Sequence, residues 1–322
     1  MVDLTKTTFS FLKKNEYRKI QLFLKKNWKS NHIFVKSRKS LFWQHNSRKK
    51  FLDFYSFKIG NKIISTLGVI NLSSSTYYKS IGLGIWCSDK KFKYLSGILM
   101  KNFMNKYSKS KIIATGLVKN VIKHYKYFKF SIKKFDKYYI CPISPKKQVI
   151  SKNLFMTSSK NSQALEELTF SQLYNFVKCK KKIFYIKKRF QLHPKYQHFI
   201  LKSNLYNIFF ICRKVNIRNY SFLRILDYYG SFNNTYLGSD FSKYCLDNKL
   251  EYVEFLHYGY EKKFILKSGF VLSDDKKNVL PILTEPYMGL KNANIIIAFK
   301  NFNKVKIVKG DCDADRHNYT AK

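Results

Sequence analysis

Asp227 lies inside the apolar run SFLRILDYY, residues 221–229, where an ionised carboxylate is costly unless it is paired or used. It reads equally as a general base or as a buried hydrogen-bonding group. Arg224, three positions earlier, falls on the opposite face of a strand and is no obvious partner. Glu251 and Glu254 flank Val253 in the next apolar run, EYVEFLHY, and carry the same two readings. His257 ends that run, where ligands collect in open α/β sheets, and it reads as a core or rim histidine or as a functional one. Glu254 and His257 are therefore candidate substrate contacts. The segment GDCDADRHN, residues 310–318, sets Asp311, Asp313 and Asp315 at alternate positions, on one face of an extended chain, with Arg316 pointing elsewhere. Alternating aspartates open an EF-hand loop, but Arg316 stands where that loop needs Gly and no Glu follows. The group Asp311, Asp313, Asp315 and Arg316 is thus read as recognising a polar substrate or tying the tail to a basic body, ahead of any metal site.

That basic body is extreme, with 62 Lys and Arg against 19 Asp and Glu and a formal charge of +43 in 322 residues. Such a charge draws nucleic acid, anionic lipid or phosphorylated cofactors. The excess is also Lys spread along the whole chain beside abundant Asn, Ile, Tyr and Phe, as an AT-rich coding sequence produces. No zinc-finger spacing, heptad seam or aromatic RNA-binding motif makes the charge specific. The six cysteines stand singly, as core thiols of a reducing compartment do. No apolar run approaches a membrane span or a signal peptide, so a cytoplasmic protein is expected.

Hydrophobic period supplies the elements. Residues 62–72 and 80–88 read as strands, 94–107 as a helix, 111–117 as a short buried strand, 120–128 as an aromatic helix and 138–143 as a closing strand. The order then recurs, with strands at 204–213 and 221–229, a helix at 236–248, a strand at 251–258 and a short helix at 261–267 ending at Gly269-Phe270. A Lys/Ser/Asn-rich linker at 146–163 separates residues 1–145 from residues 164–322, and a helix over 164–177 opens the second part. The expected fold class is α/β, with two tandem units, each a mixed central sheet flanked by helices.

The order strand, strand, turn, helix, strand, helix, Gly-Phe, strand resembles the core of the GCN5-related N-acetyltransferase (GNAT) superfamily. The nearest local match is ATGLVKNVIKHYKYFKFSIKKFDKYYI, residues 114–140, through Asn120, Tyr125 and Phe130, with Lys129 in place of the usual glycine. FLKKNWKSNHIFVKSRKSLFWQH at 23–45, HPKYQHFIL at 193–201 and GDCDADRHN resemble tandem GNAT-like proteins of bacterial surface-polysaccharide gene clusters. The resemblance implies that the turn SDKKFKYLSG, residues 88–97, presents backbone N–H groups to the pyrophosphate of acetyl-CoA or another acyl-CoA. Lys91, Lys93, Ser96, Gly97 and Asn120 are the implied cofactor-binding residues, although a solvated loop capped by Ser88 or Asp89 fits the same turn. Tyr125 is the implied catalytic acid, with aromatic packing as its other reading, and Asp227 the candidate base. His124 points about 100° away from Tyr125 on a helix.

The expected function is acyl-CoA-dependent N-acyl transfer to an amino sugar or similar polar metabolite of surface-glycan assembly. Two alternatives stay open. One is a Fem-type aminoacyl transferase using charged tRNA, and the other is a catalytically degenerate protein that binds a glycan precursor or nucleic acid.

Overall fold

The computed structural model describes residues 6–72, 79–143, 149–150, 154, 156–217, 219–233, 235–274, 276–277, 279–280 and 294–311. The chain begins with strand β1 (Thr7–Lys13), helices α1 (Tyr17–Asn27), α2 (Ile33–Lys36) and α3 (Arg38–His45), and strands β2 (Phe51–Ile59), β3 (Lys62–Asn71) and β4 (Ser80–Ser88). Next come α4 (Ser96–Lys106), β5 (Lys111–Thr115), α5 (Lys119–Tyr127), β6 (Ser131–Lys134) and β7 (Asp136–Pro142). The second part holds β8 (Met156–Thr157), β9 (Leu165–Leu168), α6 (Phe170–Val177), α7 (Lys180–Ile186), β10 (Phe199–Ser203), β11 (Phe209–Ile217) and β12 (Tyr220–Tyr229). It continues with α8 (Gly238–Asp247), β13 (Val253–Tyr258), α9 (Lys262–Lys267), β14 (Val271–Leu272), β15 (Ile296–Lys300) and β16 (Ile307–Val308).

Two compact units result. Among the described residues, the first gathers the chain up to Lys133 with Ile296–Phe302, and the second gathers Lys134–Ile295 with Asn303–Asp311. The first sheet runs β1-β2-β3-β4-β5-β15-β6. Its strands are antiparallel from β1 to β4, and β4 then runs parallel to β5. Helices cover both faces, which is why β3 reads as an almost unbroken apolar run and is buried from Ile63 to Ile70. On one face Leu99, Met100 and Phe103 of α4 and Tyr125 of α5 pack on Leu67, Val69 and Leu83. On the other, Ile20 and Leu24 of α1 and Phe34 of α2 pack on Phe54 and Ile85.

The second sheet runs β14-β7-β13-β12-β11-β10-β9, with β12 parallel to β13. Phe241 and Cys245 of α8 and Ile265 of α9 fill one core with Phe210, Leu223 and Phe255, and Leu173 of α6 and Ile186 of α7 fill another with Ile200, Ile211 and Leu226. Each unit thus contains a strand–helix–strand–helix run, β4-α4-β5-α5 and β12-α8-β13-α9, around its parallel pair. No helix among the described residues is long and apolar enough to cross a membrane.

Two elements depart from expectation. The stretch read as one helix over 164–177 is β9 followed by α6, because Thr169 and Gln172 form a reciprocal capping box that starts the helix at Phe170. The residues before it pair with β10, from Leu168 against Ile200 to Leu165 against Ser203. The strand read as closing the first half, β7, instead pairs with β13 and β14 in the second sheet, with Ile140 opposite Val253 and Tyr139 opposite Val271. Its position beside β5 is taken by β15, whose Ala298 lies opposite Ala114. Periodicity tells which faces a strand buries. It does not tell which edge the strand joins.

Candidate functional site

In the first unit the parallel pair opens into a cleft. The register runs from Ser80 opposite Lys111 to Leu83 opposite Ala114, and β4 then continues to Ser88 while β5 stops at Thr115. A β-bulge falls at the same point. Across β3 the register passes from Val69 opposite Leu83 to Gly68 opposite Ile85, leaving Gly84 unpaired. The bulge turns Leu83 toward the α4–α5 core and Ile85 toward the α1–α2 core, although two residues apart on a regular strand share a face. A pocket of about 400 Å³ occupies the opening. Trp28, Lys29 and His32 wall it on the α1–α2 side, and Trp86, Val121 and Tyr125 on the α5 side.

Tyr125 is buried, and its ring stands edge-on to Trp86 at 6.0 Å and to Phe130 at 5.1 Å between centroids. Tyr125 thus packs with aromatics, as one of its two readings expected, and it also lines the pocket. Trp86 Nε1 and Thr115 Oγ1 are buried polar atoms with no hydrogen-bond partner among the described residues, and both residues line the pocket. Buried polar groups are nearly always satisfied, so these two fit a site that receives a ligand. His124 is exposed and lies outside the pocket lining.

The residues implied for the cofactor divide. Lys91 and Lys93 are exposed in the 3-10 turn Lys90–Leu95, which Asp89 caps by accepting the Lys91 N–H at 2.9 Å. Asp89 also pairs with Lys62 at 3.5 Å. Ser96 and Gly97 open α4 directly from that turn, and the Ser96 N–H already donates to Lys93 O, so the helix dipole is what this end offers an anion. A Cβ on Gly97 would meet nothing within 4 Å, so the backbone there borders open space. Asn120 is exposed on the first turn of α5 and does not line the pocket. Lys129, which replaces the usual glycine, holds the left-handed backbone at φ 58°, as Gly269 does at φ 94° in the second unit.

The second unit repeats this plan with its parallel strands bridged, leaving a smaller pocket of about 210 Å³ beside Tyr228, Phe232, Tyr260 and Ile265. The β12–β13 register covers Leu223–Val253 to Ile225–Phe255. Where the strands would separate, β16 lies antiparallel to β13, with Val308 opposite His257. The Lys309 N–H donates to Leu256 O at 3.0 Å and the Gly310 N–H to Leu226 O at 2.8 Å, so the chain bridges both strands. The position matching Tyr125 also lacks a hydroxyl. The Phe130 N–H bonds the Tyr125 carbonyl, and the equivalent Phe270 N–H bonds that of Ile265.

The candidates of this unit are held by its own fold. Asp227 accepts from the Tyr228 N–H at 2.8 Å and the Tyr229 hydroxyl at 3.0 Å. Burial, with the charge of Asp311 added, pushes its carboxyl up to about 7. Asp311 accepts from the Val308 N–H at 2.9 Å and the Tyr185 hydroxyl at 3.2 Å, and burial raises it as well. Glu254, expected at a substrate, is instead the ion-pair partner of Arg224 in the core, each 1% exposed. The parallel register sets the two directly opposite, so the partner of Arg224 is across the sheet and not along its own strand. His257, likewise expected at a substrate, is fully buried and stacked on Tyr138 at 4.8 Å. Neither of its nitrogens has a partner among the described residues, and burial lowers it to about 3. Asp313, Asp315 and Arg316 lie outside the described residues. No group of three or more His, Cys, Asp or Glu among the described residues is placed to hold a metal ion.

Trp28, Lys29, His32, Gly84, Trp86 and Thr115 line the pocket and escaped the sequence reading. A glycine inside an apolar strand is a known sign of a bulge, so Gly84 carried a signal. The others became significant only through the divergence of β4 from β5.

No family model matches this sequence, and no curated protein does. Solved structures are similar in fold. A GCN5-related N-acetyltransferase from Kribbella flavida matches with a TM-score of 0.54 at 5% identity, over 92% of this chain and 72% of that one. One from Anabaena variabilis matches with a TM-score of 0.51 at 10% identity, over 91% and 72%. A probable N-acyltransferase from Enterococcus faecalis matches with a TM-score of 0.51 at 9% identity, over the same shares. The chain thus has a mixed α/β fold of two GNAT-like units.

Proposed function

We propose that the first unit is an N-acyltransferase that takes an acyl-CoA, with acetyl-CoA the first candidate, in the cleft between β4 and β5. The observation that carries this reading is the open, bulged cleft of about 400 Å³ with the ring of Tyr125 in its wall, set against a second unit whose parallel strands are bridged by residues 307–310 and whose matching residue is Ile265. Bound acyl-CoA would supply an acyl group already activated as a thioester. Lys91, Lys93 and the first turn of α4 at Ser96 and Gly97 would hold its phosphates through the lysine charges and the helix dipole. The extra residue of the bulge frees backbone groups of β4 to orient what lies in the cleft. Tyr125 Oη would hold the proton that the leaving sulfur takes up. The Asp227 carboxylate belongs to the second unit, where we assign it to the hydrogen bonds that close the β12 end.

A polar amine such as an amino sugar of surface-glycan assembly is the proposed acceptor class, and the cytoplasm, where acyl-CoA is made, is the proposed place of action. The test is steady-state kinetics of Tyr125→Phe. Turnover should fall about a hundredfold, the scale of general acid catalysis, while acetyl-CoA binding measured by calorimetry stays unchanged. Unaltered turnover would remove Tyr125 from the chemistry.

A further inference from the structure

We infer that the acceptor amine also carries an anionic group, a carboxylate or a phosphate, bound on the α1–α2 side of the first unit's pocket; the inference rests on the acyl-transfer reading above. Each polar side chain of the pocket can donate a hydrogen bond. Trp86 Nε1–H can only donate, and the hydroxyls of Thr115 and Tyr125 can both do so. His32 accepts the Phe34 N–H at Nδ1, 3.1 Å away, so its neutral ring carries hydrogen on Nε2. Lys29 adds a full positive charge. Among the described residues that line the pocket there is no Asp, Glu, Asn or Gln.

An acceptor bearing extra ammonium groups would enter this lining beside the like charge of Lys29 and with no carboxylate to pair with. An oxyanion finds the reverse, since each of its oxygens accepts several hydrogen bonds and gains most where a cation stands beside it. Position supports the same division of the pocket. Ala114 belongs to the α4–α5 core, so its neighbour Thr115 faces the other side of the sheet, the side of Lys29 and His32. The start of α4, proposed for the donor's phosphates, packs on the Ala114 side. Thr115 Oγ1, 8% exposed and without a hydrogen-bond partner among the described residues, is thereby left for the acceptor.

The experiment is calorimetry on the full chain with three amines, glucosamine 6-phosphate, glutamate and spermidine, and with acetyl-CoA titrated separately. Glucosamine 6-phosphate or glutamate should bind, the stronger of the two showing whether phosphate or carboxylate is preferred, and spermidine should not. Lys29→Glu should weaken the anionic amine at least about tenfold and Thr115→Val by several-fold, as loss of a charged and a neutral hydrogen bond respectively predicts. Lys101→Glu, the same charge change at an exposed position of α4, should leave binding unchanged, which separates the pocket from the general charge of the chain. Spermidine binding as well as the anionic amines, anion binding indifferent to Lys29→Glu, or no amine binding while acetyl-CoA binds would each overturn the inference. That last result would leave acyl transfer standing, whereas failure of acetyl-CoA to bind would overturn the reading beneath it.

Discussion

His257 shows how a residue that reads as functional can belong to the core. Its ring lies flat against Tyr138 and edge-on to Tyr260 at 5.2 Å, with both nitrogens buried. The folded protein keeps it neutral down to about pH 3, whereas the unfolded chain takes up a proton near 6.5. Between those values the unfolded state binds more protons, so this residue makes stability fall as the pH is lowered. His257→Phe keeps the ring stack and removes that term. The variant should therefore gain stability on wild type as pH falls from 6.5 toward 3, a difference read from paired thermal unfolding curves. Asp227 contributes the opposite slope between its ordinary value of 3.8 and about 7, which the comparison with wild type cancels. Sequence made both residues conspicuous by placing polar groups in apolar strands. It could not give their roles, because those depend on neighbours such as Tyr138 and Asp311 that are distant in the chain.

At the scale of elements, the segment around β16 bridges the parallel strands of the second unit, where those of the first diverge. Gly310 is required there by close approach. A Cβ would lie 2.7 Å from Leu226 O and 2.8 Å from the Phe190 ring. Gly310→Ala should destabilise the protein by about 1–3 kcal/mol, the usual cost of forcing atoms into a packed site, as a denaturant midpoint would show. The strand–helix–strand–helix order of both units was legible because period two and period 3.6 are local properties, and the helix read at 120–128 is α5, Lys119–Tyr127. The filling of one cleft and the opening of the other were not legible. They follow from pairings such as Val308 with His257, for which a two-residue strand leaves no periodic signal.

For the whole molecule, the exchange of β7 and β15 means that neither half of the sequence holds all the strands of its own sheet. The first sheet needs β15 between β5 and β6. A fragment ending at residue 145 would expose the edge of β5 and leave Ala298 absent from a core where it is fully buried. Such a fragment should fail to unfold cooperatively in a melt that is cooperative for the full chain. The fold class could be read from the sequence, since repeated element order was enough for that. The exchange could not, because hydrophobic period marks a strand without marking the sheet edge it joins.

Under the proposed function, one cleft of the two accepts acyl-CoA. Calorimetric titration of acetyl-CoA into the 322-residue chain reads this as a stoichiometry. One molecule should bind per chain, at the site between β4 and β5, with the second unit's cleft closed by residues 307–311. Two molecules per chain would show that the second cleft opens, and no binding at all would contradict the proposed function.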